Sequence, residues 1–414
     1  MSALILTGAV TADGARRDLE VRDGRIARVA APGALGAEAG AGAGATLLDL
    51  GGAVVLPAFV DGHIHLDKSF VGTSWRPHEP QETLAGRIAA EARALREVER
   101  ELPLAERALR LVDRVVAHGT GALRSHVDVH PDVGVSAVEA VVDVARRCAD
   151  RVDVQVVAFP QRGVIASPGT AELLDAALRA GADVVGGLDP AGFDGDVEGQ
   201  LTTVFDLAER HGAMVDIHLH DDGALGTFQL RRIARHAADR GLAGRVAVSH
   251  AYALGAVDAD ELARTAEQLA AADVAIMTNA PGTGTMPPVL TLRAAGVTVF
   301  AGNDNVRDAW WPYGSGDMLE RAMLIGYRQG LYTDEELGVA LAMATTEAAG
   351  VLGLEGYGLH EGARANLVAV DARTPAEAVA CPGARLLVLH DGRVVGGTRA
   401  ADGAGLTRSA PAAR

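Results

Sequence analysis

Residues 58–70 read AFVDGHIHLDKSF. An apolar run ends in two histidines, His63 and His65, with Asp67 and Lys68 directly behind them. On a β-strand, residues two apart project from one face, so both imidazoles can reach a single point in space. The kind of sheet that carries them is set by the segments that follow.

Those segments repeat one pattern. GALRSHVDV, VDVQVVAFP, ADVVGGLDP, MVDIHLHD, RVAVSHA, DVAIMTNA and VTVFAGND are short β-rich runs, and amphipathic stretches such as TAELLDAALRAG, VFDLAERHG, QLRRIARHAADRG and ADELARTAEQLAA lie between most of them. With VVLPAFVDGHIH at the start there are eight strand candidates, seven followed by a helical pattern before the next. This predicts an α/β chain whose central part is a (β/α)8 TIM barrel. The runs are apolar almost throughout, as parallel strands buried on both faces should be. The competing architecture, a doubly wound open sheet, would show a glycine-rich phosphate turn after the first strand, and none is present.

Outside the barrel both ends read differently. Residues 1–55 and 362–398 alternate apolar and polar positions between turns, which predicts a small composite β-sandwich built from the two termini. The expected division is 1–57 for the N-terminal part of the sandwich, 58–355 for the barrel and 356–400 for the C-terminal part. The Ala/Gly-rich stretch near 35–45 reads as a flexible loop, and 401–414 as a disordered tail.

Bulk properties narrow the function. A chain of 414 residues exceeds one small core. With 38 basic and 54 acidic residues its net charge is −16, which disfavours nucleic acid or an anionic membrane as partner. No apolar run approaches the length of a membrane span. The opening MSALILTGAV has no basic region ahead of its apolar residues and reads as a strand rather than a signal peptide. Cys148 and Cys381 belong to no metal-binding spacing, so a cytoplasmic location is the expectation.

In a parallel barrel, chemistry gathers where strands end at the C-terminal face. His63 and His65 end strand one, His218 and His220 strand five, His250 strand six and Asp304 strand eight. Any one of these histidines could be a hydrogen-bonded core residue. Packing does not explain the whole set gathered at one end of buried strands. Imidazoles and a carboxylate converging from several strands suit zinc or ferrous iron. Of the remaining histidines, only His126 and His130, at the end of strand two, are candidates to join them.

PAFVDGHIHLDKSF, RSHVDV, VQVVAFPQRG, VVGGLDP, VDIHLHDDG, VSHA and FAGNDNVRDAWWPYGSGDM together resemble the amidohydrolase superfamily. The similarity points to its cytosine deaminase-like branch, and within that to the relatives of N-isopropylammelide isopropylaminohydrolase. The resemblance implies a hydrolase of carbon–nitrogen bonds other than peptide bonds. It would remove an amino or alkylamino group from a small pyrimidine- or triazine-type heterocycle with an activated water. It also implies one divalent ion, Zn2+ or Fe2+, held by His63, His65, His218 and Asp304, and a homo-oligomer. A single ion is expected because binuclear relatives keep a carboxylated lysine at the end of strand four, where this chain has Asp189 in GGLDP.

The same resemblance assigns Asp304 as base and His250 as the strand-six histidine that hydrogen-bonds water or substrate. Two positions depart from cytosine deaminase. Asp221 stands where that family has a proton-shuttling glutamate, and Asn305 where it has a second aspartate. Both match the isopropylaminohydrolase relative, as do Lys68 and Asp189. Lys68, Asp189 and His220 are therefore expected to handle protons, with Asp221 and Asn305 among the substrate contacts. Gln161 corresponds to a glutamine that pairs with the amide edge of the ring; its side chain offers both a donor and an acceptor. Trp310 is placed to stack on that ring. The alternatives are a cyclic-amide hydrolase of the dihydropyrimidinase or hydantoinase type, and a non-catalytic scaffold of the same fold.

Overall fold

The eight apolar runs form one parallel sheet whose strand order follows the sequence. They are β1 (Phe59–Ile64), β2 (Thr120–Asp128), β3 (Asp153–Phe159), β4 (Val184–Leu188), β5 (Met214–Leu219), β6 (Val246–His250), β7 (Val274–Thr278) and β8 (Val299–Ala301). This is a computed structural model, and it describes residues 3–39, 45–78 and 83–398. Parallel pairing runs from each strand to the next. The ends of the sheet meet where Ile64 bridges Asp304 in parallel and the Asp304 N–H donates to the His63 carbonyl at 2.7 Å. Glycine makes that closure possible: a Cβ on Gly302 would lie 2.5 Å from His63 Cβ, and one on Gly62 2.4 Å from the Phe300 ring.

The helices lie outside this sheet and bury one stripe each. Helix Leu104–Ala117 buries Ala108, Leu111, Val112, Val115 and Val116, a spacing of three and four that keeps one face inward. Each such Leu or Val contributes about 1.5–3 kcal/mol by leaving water.

Both termini build the second, separate sheet. Its order is Arg393–Gly396, Arg385–His390, Leu367–Val370, Val54–Pro57, Leu4–Val10, Arg16–Arg22 and Arg25–Ala30, with Thr46–Asp49 pairing with Leu4–Val10. Leu6, Leu19, Ile26, Val55, Leu367 and Leu389 belong to its own apolar cluster.

Two readings of the sequence change here. VVLPAFVDGHIH is two strands: Val54–Pro57 pairs with Leu367–Val370 in the terminal sheet, and Phe59–Ile64 begins the barrel. Ala58 is the step between them, its N–H going to the Asn366 carbonyl. The stretch expected to be a loose loop contains a short helix, Ala34–Ala39. Leu35 there is buried, and its N–H donates to Asp18 at 3.3 Å. Residues 40–44 and the tail 401–414 lie outside the described residues.

Candidate metal and catalytic site

At the C-terminal ends of the strands, side chains from His63 to Asp304, 241 positions apart, converge. His63 comes from β1 and His65 directly follows it, and their Nε2 atoms are 3.3 Å apart. Asp304, just past β8, places Oδ1 3.5 Å from His63 Nε2 and 3.2 Å from His65 Nε2. His218 from β5 joins them: one ring nitrogen from each of His63, His65 and His218 falls within 4.8 Å of the others. His63, His250 and Asp304 form a second such group, and His63, His126 and Asp216 a third.

Buried hydrogen bonds set which nitrogen each imidazole presents. His63 Nδ1–H donates to Ser249 Oγ at 2.8 Å, and that hydroxyl donates to Asp216 at 2.7 Å. Asp216 in turn pairs with the buried Arg124 at 2.8 Å. His65 Nδ1–H donates to the His126 carbonyl at 3.1 Å. Both residues therefore turn Nε2 toward Asp304, with the other nitrogen anchored as it is in metal-ligating histidines. Both ring nitrogens of buried His218 lack any hydrogen-bond partner. Two orphaned buried nitrogens are costly unless something else takes a lone pair.

The electrostatics suit the same role. Burial, reinforced by neighbouring imidazoles, holds His63 and His218 well below the usual histidine range, so they are neutral. Burial likewise pushes His250 down to about 3, against the pull of Asp304. Burial alone would raise Asp304, but the His65 hydrogen bond and the nearby imidazoles hold it at about 2. Neutral imidazoles around an ionised carboxylate are the protonation states that bind a divalent cation. The residues present fit the ion.

A cavity of about 410 Å³ opens above this cluster. His65, His218, His220, His250 and Asp304 line it together with Lys68, Phe159, Gln161, Asn305 and Trp310. His220 sits on Asp189: Nδ1 is 2.8 Å from Oδ2, and the His220 N–H reaches Oδ1. Burial disfavours a charge on His220, but the Asp189 carboxylate outweighs it and raises the imidazole above its ordinary value. Lys68 is buried as well. Burial would lower it, yet the fields of Glu91, Asp128, Asp67 and Asp308 together raise it.

Of the residues singled out from the sequence, Asp221 does not join the cavity. Its carboxylate accepts from the Gly192 N–H at 2.7 Å and from Gln229 Nε2 at 2.9 Å, tying the loop after β4 to helix Gly223–Asp239. Gln161 faces the cavity, but its amide nitrogen is committed to Glu91. That bond turns the carbonyl oxygen away from Glu91 and leaves it without a protein donor among the described residues. His126 is fully buried below the cavity, stacked on His63 with ring centroids 3.7 Å apart, and both its nitrogens are unpartnered. His130 lies outside the cavity lining, with Nδ1 accepting from the Asp132 N–H.

The sequence reading missed Asp216, Ser249 and Glu91. The first two carried a faint signal as polar residues inside apolar strands next to assigned histidines. Glu91 carried none: it is one of many charged residues on helix Leu84–Glu101. That helix also brings Thr83, Arg87 and Ile88 to the cavity.

This barrel, with its histidine and aspartate cluster, is the architecture of a metal-dependent hydrolase, and the amidohydrolase family matches residues 46–396. The chain belongs to the amidohydrolase family. It is 33% identical over 356 residues to N-isopropylammelide isopropyl amidohydrolase of Pseudomonas sp. strain ADP, covering 84% of this chain and 87% of that relative. The crystal structure of N-isopropylammelide isopropylaminohydrolase from Burkholderia multivorans ATCC 17616 superposes with a TM-score of 0.89 at 40% identity, over 96% of this chain and 98% of the other. 5-Methylcytosine deaminase from Klebsiella pneumoniae, liganded with phosphonocytosine, superposes with a TM-score of 0.83 at 28% identity, over 94% and 97%.

Proposed function

We propose that the protein hydrolyses the bond between a small pyrimidine- or triazine-type ring and an exocyclic amino or alkylamino group. The observation that carries this reading is the pairing of a ligand-competent cluster with proton-bearing groups across one cavity of about 410 Å³. That volume suits a single heterocycle with a short substituent. The relatives support the substrate class, since their names place them on isopropylammelide and on 5-methylcytosine.

His63, His65, His218 and Asp304 would hold one divalent ion, Zn2+ or Fe2+, which would lower the pKa of a bound water to about 7. Asp304 is ionised, and Asn279 Nδ2 fixes its Oδ2 at 2.7 Å, so the carboxylate is oriented to accept a proton. Water oxygen is added to the ring carbon, the carbon–nitrogen bond breaks, and the departing amine carries away a proton. His220, held charged by Asp189, is the donor on the leaving-group side, with His250 stacked 4.6 Å from it. Lys68, in the same cavity lining, stabilises negative charge on the ring. Gln161 and Asn305 bind the ring edge, and Trp310 lies along its face.

The cyclic-amide alternative is not favoured. The end of β4 holds Asp189, committed to His220, where a bridging lysine would be required. The test is release of ammonia or alkylamine by metal-loaded enzyme from cytosine, isocytosine, ammelide, N-isopropylammelide, creatinine and hydantoins. Release from an amino- or alkylamino-heterocycle, abolished in Asp304→Ala, is the expected result. Opening of a hydantoin without amine release would overturn it.

A further inference from the structure

Glu91 is buried at 3% exposure on a helix outside the barrel, yet its carboxylate organises one wall of the cavity. Its two oxygens are divided between partners. Oε1 accepts from Trp310 Nε1 at 2.7 Å and lies 3.6 Å from the Lys68 ammonium. Oε2 accepts from Gln161 Nε2. An indole N–H and an ammonium can only donate, and an ionised carboxylate can only accept. The direction of the Gln161 amide is therefore forced, with its nitrogen on Glu91 and its oxygen left for the cavity.

The neighbouring amide is set in the same way. Asn305 Nδ2 donates to Asp308 Oδ2 at 2.6 Å. Asp308 is itself fixed, because its other oxygen accepts the backbone N–H groups of Trp310 and Trp311, each at 2.9 Å. Among the described residues no protein donor reaches Gln161 Oε1 or Asn305 Oδ1. Each amide thus has one N–H held by a carboxylate and a carbonyl oxygen that no protein donor takes.

We infer that Glu91 is a positioning residue that decides substrate specificity: by fixing the Gln161 amide it makes this wall of the cavity read N–H donors on the edge of the ring, and reject rings that present only an acceptor there. The inference rests on the reading that the cavity binds a small heterocycle. It narrows the substrate to rings bearing an N–H at that edge, as lactam or imide rings do.

Glu91→Gln makes the sharpest test because it keeps shape and leaves one oxygen. Trp310 Nε1 and Lys68 are obligate donors at the Oε1 position, so the remaining oxygen goes to them. The new amide nitrogen then faces Gln161, which must turn its oxygen toward residue 91 and its nitrogen into the cavity. The first measurement is made on ligand-free protein labelled with 15N-glutamine, the Gln161 side-chain signal being identified by its absence in Gln161→Met. The signal is expected to move and to lose its slow solvent exchange in Glu91→Gln; an unmoved signal overturns the inference.

The second measurement compares kcat/KM for an isopropylamino triazinedione with its isostere carrying ring oxygen in place of the edge N–H, at equal metal content. Wild type should prefer the N–H ring by about 100-fold or more. In Glu91→Gln the preference should shrink about tenfold or more, because the ring-oxygen compound improves. Equal losses on both compounds would mean a merely structural role and would overturn the inference. If neither compound is turned over by wild type, the proposed reaction fails, and the amide signal still decides the role of Glu91.

Discussion

In the terminal sheet, Asp23 and Asp391 have φ of 50° and 44°, and each is followed by a glycine that is also left-handed, at 79° and 71°. At the mouth of the barrel Asp189, His250, Ala280 and Asp304 have φ of 34°, 75°, 51° and 60°. The two sets share a backbone region that costs a residue with a Cβ about 1–3 kcal/mol. In the sheet the strain is local: Asp-Gly forms a two-residue turn between paired Arg22 and Arg25, and again between His390 and Arg393. At the barrel mouth no turn sequence accounts for it. There the conformation is held from outside, by the Asp304 N–H on the His63 carbonyl and by the His220 and Asp221 N–H groups on Asp189. Left-handed residues shape a connection in one region and aim functional side chains in the other.

That contrast can be broken by substitutions on each side. The largest effect is expected at the barrel mouth. His218→Ala should lose most of its bound divalent metal, read by elemental analysis, and about 1000-fold or more of amine release. Retained metal and activity would mean that the cluster is only a packed core.

A smaller effect tests the pair behind the mouth. His220 is raised, so its charged form is present at lower pH and is lost as pH rises through that raised value. Asp189→Asn removes the raising field and leaves burial, which lowers it. The alkaline limb of the kcat/KM profile should therefore move to lower pH, with roughly tenfold or more lost at pH 8. An unmoved limb would remove His220 from proton transfer.

The smallest effect belongs to the hairpins. In Gly392→Ala the new Cβ would meet Val21 Cγ1 at 2.9 Å and Gly24 Cα at 3.2 Å, in a left-handed backbone. A loss of about 1–2 kcal/mol in denaturant stability is expected, with metal content and turnover unchanged. Loss of activity there would show that the two regions are coupled.

Much of this arrangement was legible in the chain. The period of two in the terminal segments and the buried apolar runs between helical patterns specified both sheets, because burial on one face or on two dictates different residue patterns. Histidines two apart at the end of a buried strand announced a shared point. VVLPAFVDGHIH shows the limit: a continuous apolar run read as one strand is two, and only the partners of Pro57 and Phe59 show that they belong to different sheets. Asp221 shows another, since the family resemblance suggested a substrate contact while its carboxylate ties Gly192 to Gln229.

By itself the sequence determined the barrel, the composite terminal sheet, the metal-ligand candidates and the turns of its hairpins, since these follow from short-range pattern and residue chemistry. Only the tertiary structure decided which nitrogen each histidine presents, which end of Gln161 faces the cavity and that Glu91 stands beside Lys68. Those choices are made by hydrogen bonds between residues dozens to hundreds of positions apart. A donor's direction is fixed by its partner, and the linear chain does not say which residue that partner will be.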